Sequence, residues 1–413
     1  MEPTADLDSY RERVRSWLAK NLEPTRQPRV HRVRGELPSA EHLNRQRAIQ
    51  RKLFDAGYTG ITWPREYGGQ GLTAEHRRIF EEEAAGYALP DFAPLQNTTY
   101  AVCAPTMLAH ASHEFKIRHI PAILAGDALW AQFFSEPNAG SDLAAVRTRA
   151  VRDGDHWVLT GSKVWSSGAM LADYGMCLAR TDGSLPKHQG LTWFAVPTHA
   201  PGLTIRPIRE SGGGEEFCEE FFDDVIVEDI DRIGEVNAGW TVATTMLGFE
   251  RSAGKTQASR VGGPPGDLPA DLVELARRRG LTDDGHTRQQ IVRVHVGEFI
   301  QRQLGARIVD AMATNGAAGL ASYLKLAEGL FTATRARITL ELAGGSAVAW
   351  RAGDSVSRAA AMTYLNARVR SIAGGTNEMQ RNAIGERILG LPREPSADRG
   401  KPFDDVIGQA GLS

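Results

Sequence analysis

The chain has 413 residues, 42% hydrophobic and 24% charged, with a formal net charge of -2. That length exceeds one ordinary core and predicts two or three domains. The near-neutral balance excludes bulk neutralisation of phosphates, so nucleic acid is not an expected partner.

Three scattered cysteines, Cys103, Cys177 and Cys218, show no ligand spacing, predict no metal site and fit a reducing compartment. The opening "MEPTADLDSYRERVRSWL" is charged at once and lacks an apolar h-region. No apolar run approaches the ~20 residues of a membrane span. The expectation is a cytoplasmic protein with no membrane span.

Residues 1–128 have a helical pattern. "DLDSYRERVRSWLAKNL" sets Leu7, Tyr10, Val14, Trp17 and Leu18 at helical spacing, with Asp8 as the expected cap. "AEHLNRQRAIQRKLFDAG" repeats the pattern and stops at Gly57. A Pro/Gly loop, "WPREYGGQGLT", precedes the helical "AEHRRIFEEEAAGYA".

The character changes over 129–238. "VRDGDHWVLTGSKVW" carries an Asp-Gly turn followed by alternation, a hairpin signal. "YGMCLAR", "LTWFAVP", "LTIRPI" and "EFFDDVIV" follow as short strands, which predicts a small barrel or sandwich. Over 239–394 helices return, interrupted at "VGGPPGDLPADLVELARRRGLTDDGHT", which reads as a loop, a short helix and another loop. The polar tail, 395–413, is expected to be loose. The fold class is α+β: helical domain, β-domain, helical bundle.

Within the β-region, "FFSEPNAGSDLAAVRTRA" (133–150) holds Pro137, Asn138, Gly140 and Ser141 in a loop that exposes N–H groups and a hydroxyl. Such a loop suits a cofactor's carbonyls or a phosphate. Trp165, at a strand end beside two serines, reads either as core or as an aromatic that stacks on a flat ring system. The basic clusters "RVHRVRG" (29–35) and "RRR" (277–279) read as solvated faces.

"SEPNAGSDLA" and "KVWSSGA" resemble two signatures of the acyl-CoA dehydrogenase family. "WPREYGGQGLT", "FFDDVIVEDIDRIGEVNAGW" and "GGTNEMQRNAIGERILGLPR" match further ones in family order, so the resemblance spans about residues 8–394. It implies FAD as cofactor, contacted by Gln132, Phe134 and Ser135, by Trp165, Ser166 and Ser167, and by Thr376 and Glu378. It implies acyl-CoA contacts from Ser141, Arg251, Gly374 and Gly375.

The expected reaction is α,β-dehydrogenation to the trans-2-enoyl-CoA, with electrons leaving to an electron-transfer flavoprotein. The expected assembly is a homodimer, a homotetramer, or a pairing with a second chain of the bacterial FadE type. Two rivals follow from the same resemblance: a weakly or non-catalytic partner subunit, and a related flavoprotein acting on another acyl thioester.

Three positions depart from the family pattern. "RRRGLTDDG" replaces "R-x-x-F-G", and Glu341 of "ELAGGSA" replaces a glutamine. An acidic side chain there opposes a pyrophosphate unless it faces away. Gly374 stands where many members carry the catalytic glutamate. Its backbone N–H keeps the thioester-polarising position implied by the resemblance. In isovaleryl- and long-chain-type members the base lies at the position of Glu250 in "TTMLGFERSAGK", paired with a small residue at the Gly374 position. The resemblance therefore implies Glu250 as the base, although a Glu before an Arg on a helix is more often a surface ion pair.

Overall fold

The computed structural model describes residues 3–25, 37–258, 268–315, 318–351, 353–396 and 398–410. The basic cluster at 29–35 lies outside them, as does the Gly/Pro-rich stretch 259–267. The chain divides into two compact units. The first is Met1–Glu210, Glu215–Met246 and Asp398–Ser413, and the second is Ser211–Gly214 and Leu247–Ala397.

The first unit opens with helices α1 (Pro3–Asn21), α2 (Ala40–Asp55) and α3 (Ala74–Ala84), then α4 (Leu95–Asn97), α5 (Ala104–His110) and α6 (His113–Ala125). Tyr10, Val14 and Leu18 recur on one face of α1 and are buried with Leu53, Ile79 and Phe80. Asp8 is not a cap, because α1 already begins at Pro3. Proline suits a first helical turn, where its fixed φ fits and its missing N–H would have no partner.

The β-domain holds β1 (Trp130–Phe133), β2 (Arg149–Asp153), β3 (His156–Ser167), β4 (Tyr174–Arg180), β5 (Leu191–Pro197), β6 (Leu203–Pro207), β7 (Phe217–Glu228) and β8 (Arg232–Ile233). They form one sheet in the order β6-β7-β3-β2-β4-β5-β8, with β1 parallel to β4. The expected hairpin is β2–β3, closed at Asp153 opposite His156 around Gly154 at φ 63°. The longest pairing, β3 with β7, slips register between Leu159 and Gly161 and again between Val164 and Ser166.

The tail is not loose. Helix α15 (Phe403–Ala410) packs on the β-domain, where Phe403 is buried under the Arg180 guanidinium, 4.0 Å from its ring centre. The N–H groups of Phe403 and Asp404 donate to the carbonyls of Leu185 (2.9 Å) and Gly183 (3.0 Å). Lys187 joins Asp142 (2.9 Å) to Asp398 (2.5 Å). A polar composition concealed one buried aromatic, and that aromatic is enough to dock a short helix.

Helix α7 (Gly239–Ala258) leads into the second unit. There follow α8 (Ala270–Arg278), α9 (Gly285–Asn315), α10 (Ala321–Ala343), α11 (Gly345–Val348), α12 (Ser355–Asn366), α13 (Val369–Ile372) and α14 (Asn377–Arg387). Leu272, Leu275, Ile291, Val294, Ile338 and Leu342 anchor its core. Helices α9 and α10 approach closely at Gly297, where an added Cβ would lie 2.1 Å from the Phe331 ring.

Candidate functional site

In the first unit the ends of β1 and β3 lie side by side. The Val164 N–H donates to the Ser135 carbonyl (2.9 Å), and Lys163 Nζ donates to the Phe134 carbonyl (3.2 Å). Gln132, Phe134 and Ser135 are thereby brought to Trp165, Ser166 and Ser167. Lys163 is fully buried, and its ammonium also bonds Glu136 Oε1 at 2.8 Å. Glu136 accepts further bonds from the N–H groups of Arg147 (2.6 Å) and Thr148 (2.8 Å). Burial alone would raise its pKa; Lys163 and these donors outweigh that and leave it lowered.

Trp165 is not core. Its side chain is 59% exposed and its backbone sits at φ 69°. A non-glycine residue there costs about 1–2 kcal/mol, so the neighbouring pairing must hold it. The register slip turns Trp165 outward, edge-on to Phe217 (5.8 Å between ring centres), and turns Ser166 inward. The Ser166 hydroxyl donates to Glu220 Oε2 at 2.9 Å inside the sheet. Gly140 and Ser141 are exposed, as a loop that meets a substrate requires. An outward indole beside polar strand ends fits a flat, hydrogen-bonding ring system such as isoalloxazine.

In the second unit, Gly374 and Gly375 have φ 68° and 91°, a turn that favours glycine. Thr376 caps α14, its hydroxyl accepting from the Met379 N–H (3.1 Å). Gln380 Nε2 donates to the Gly375 carbonyl (3.2 Å) and holds the turn. From α10, Gly329 packs so closely that an added Cβ would lie 2.3 Å from Asn377 Oδ1. Glu378 is exposed and pairs with Arg381 (3.3 Å).

Glu250, on α7, meets this turn. A Cβ built on Gly374 would lie 3.2 Å from Glu250 Oε1 and 3.5 Å from Lys325 Cε. Lys325 reaches the Arg370 carbonyl from α10. Burial lowers its pKa, Arg370 adds to that, and Glu328 and Glu250 oppose it. The side chain of Arg251 lies outside the described residues. Glu341 pairs with Arg337 one turn earlier on α10. Arg279 of "RRRGLTDDG" donates to the Ala343 carbonyl beside Gly344, so two of the three departures meet at one turn.

Sequence reasoning missed Lys163, Glu136, Glu220 and Lys325. A signal for Glu220 was present: in "FCEEFFDDV" it shares strand phase with Cys218 and Phe222, both inward.

Three family descriptions match consecutive segments: the acyl-CoA dehydrogenase N-terminal domain over residues 4–127, the middle domain over 131–225 and the C-terminal domain over 237–389. The chain belongs to the acyl-CoA dehydrogenase family, a family of flavoprotein oxidoreductases.

It is 36% identical over 401 residues to the acyl-CoA dehydrogenase IpdE1 of Mycobacterium tuberculosis, covering 94% of this chain and 99% of that one. Among solved structures it is similar to the Tcur3481-Tcur3483 steroid ACAD, with TM-score 0.70 and 30% identity, covering 95% of this chain and 99% of that one. The ChsE4-ChsE5 complex from Mycobacterium tuberculosis gives TM-score 0.67 and 29% identity at the same two coverages.

Proposed function

We propose that the chain dehydrogenates an acyl-CoA thioester between its α and β carbons, with Glu250 as the base that removes the α-proton. The observation that carries this is the fit between a side-chain-free Gly374 and the Glu250 carboxylate 3.2 Å from where its Cβ would stand. A glutamate at 374 would crowd that carboxylate, and each would raise the other's pKa. One carboxylate at this turn is therefore the stable arrangement. FAD, when bound, supplies the acceptor for the β-hydride.

Trp165, Ser167, Gln132, Phe134 and Ser135 would hold the ring system; the family resemblance assigns flavin contacts to Thr376 and Glu378 as well. Ser141, Arg251 and Gly375 would contact the substrate, and the Gly374 N–H would polarise its carbonyl. Electrons would leave to an electron-transfer flavoprotein.

The test is anaerobic stopped-flow bleaching of the yellow protein with a panel of acyl-CoAs. Since one solved relative is a steroid ACAD, the panel includes thioesters of steroid-derived acids. Glu250→Gln keeps flavin and substrate binding and loses bleaching by ~10²–10⁴-fold, the usual effect of removing a general base. Bleaching at the wild-type rate would exclude Glu250.

A second reading, a partner subunit in a heteromer, is favoured by the similarity to the ChsE4-ChsE5 complex. Purified alone, such a chain is colourless and takes up flavin only with its partner. Light scattering of a yellow, unaccompanied dimer or tetramer would exclude it.

A further inference from the structure

Behind Trp165 lie two buried carboxylates, Glu136 in the loop after β1 and Glu220 on β7, and one buried ammonium, Lys163 on β3. Lys163 and Glu220 stand directly opposite each other in the β3–β7 register, and both are 0% exposed. Directly opposed side chains lie on the same face. The Lys163 ammonium nevertheless bonds Glu136, at 2.8 Å. Glu136 then has three donors: Lys163 and the N–H groups of Arg147 and Thr148. Glu220 has one donor, the Ser166 hydroxyl, and its Oε1 is buried with no hydrogen-bond partner among the described residues.

One cation cannot neutralise two buried carboxylates, and an unpaired buried charge is far more costly than an unpaired neutral oxygen. The donor count assigns the negative charge to Glu136 and the proton to Glu220.

The remaining neighbours agree. Glu219, next along β7, repels a charge on Glu220, while Lys163 is the cation that favours one. The Cys177 and Cys218 thiols are pushed up to about 12 and about 11, chiefly by burial, and stay neutral. Across the β6 pairing Glu220 faces the apolar Ile205. Burial raises the Glu220 pKa to about 8, against the pull of Ser166 and Lys163.

We propose that Glu220 is a positioning residue: as a neutral acid it holds Ser166 inward, and so fixes the Trp165–Ser167 turn that receives the flavin. Ionisation of Glu220 sets a negative charge one hydrogen bond behind that turn. The carboxylate must then draw water or Lys163 toward itself, and either movement disturbs the backbone that meets the ligand. Flavin retention thereby becomes sensitive to mildly alkaline pH. The inference rests on the flavoprotein reading given above and adds to it a residue that does not touch the cofactor.

The experiment measures FAD dissociation by flavin fluorescence, together with the visible spectrum, from pH 6 to 9.5. The proteins are the wild type, Glu220→Gln, Glu220→Val and Ser166→Ala. Wild-type affinity should fall roughly three- to tenfold across pH 8, the equivalent of about one hydrogen bond. Glu220→Gln imitates the neutral acid and should hold FAD with a flat pH profile. Glu220→Val removes the titrating group with an apolar side chain and should also be flat, so failure of one variant to fold leaves the other. Ser166→Ala should bind more weakly at every pH, because the hydroxyl that anchors the turn is gone while Glu220 still titrates.

A wild-type profile that is flat, or that coincides with Glu220→Gln throughout, overturns the role of Glu220 while the flavoprotein reading stands. Wild-type protein that takes up no FAD at any pH overturns both.

Discussion

A side chain at position 374 would have to accept φ 68° and stand 3.2 Å from a carboxylate oxygen. Gly374→Ala tests both demands with the smallest possible group. The left-handed backbone alone costs about 1–2 kcal/mol for a residue with a Cβ. The contact adds to that unless Glu250 swings aside. The variant should therefore melt several degrees lower in calorimetry and also bleach more slowly with acyl-CoA. A wild-type melting temperature with unimpaired bleaching would mean that Gly374 is a matter of history and not of space. Gly375 differs: an added Cβ there would strike the Gln380 amide at 2.6 Å, so a substitution loosens the turn before it reaches the carboxylate.

Two elements carry separate consequences. The exposed end of β3 presents Trp165 to solvent, so Trp165→Ala should leave the stability of the flavin-free protein within about 0.5 kcal/mol. It should weaken FAD retention by about 1 kcal/mol, the stacking contribution of an aromatic pair, as read by equilibrium dialysis. Lost stability with full flavin retention would return Trp165 to the core.

At the C-terminus, Phe403→Ala should undock α15, because deleting a buried phenylalanine side chain removes about 3 kcal/mol. Limited proteolysis should then cut within the tail while the rest of the first unit stays resistant. The same two elements show what the sequence made legible. Turn residues and alternation exposed the β2–β3 hairpin, since both signals are local. The outward Trp165 depends on a register slip against β7, and the docking of Phe403 depends on Arg180 and Leu185, more than 200 positions earlier. Glu250 and Gly374 were legible as a pair only through resemblance, because they stand 124 positions apart and no periodicity links them.

At the scale of the whole molecule, stability and pH are linked through every group whose proton affinity changes on folding, and Glu220 gives that linkage an unusual sign. Its pKa rises from 4.5 to about 8, chiefly through burial. The folded protein therefore binds more protons here than the unfolded chain between those two values. Stability from this group is fully present below about 4.5, declines as pH climbs toward about 8, and levels off above it. The slope is at most about 1.4 kcal/mol per pH unit. Glu136 runs the opposite way: its lowered pKa favours the folded state once pH is above the ordinary carboxylate range.

The two contributions overlap in a wild-type melting curve, so the informative quantity is the difference between wild type and Glu220→Gln. Calorimetry from pH 5 to 9 should find that the variant gains on the wild type with every step upward until about pH 8, then keeps a constant advantage. A difference that does not change with pH would mean that the Glu220 proton is the same in both states. The donor count around Lys163 would then have been assigned to the wrong carboxylate.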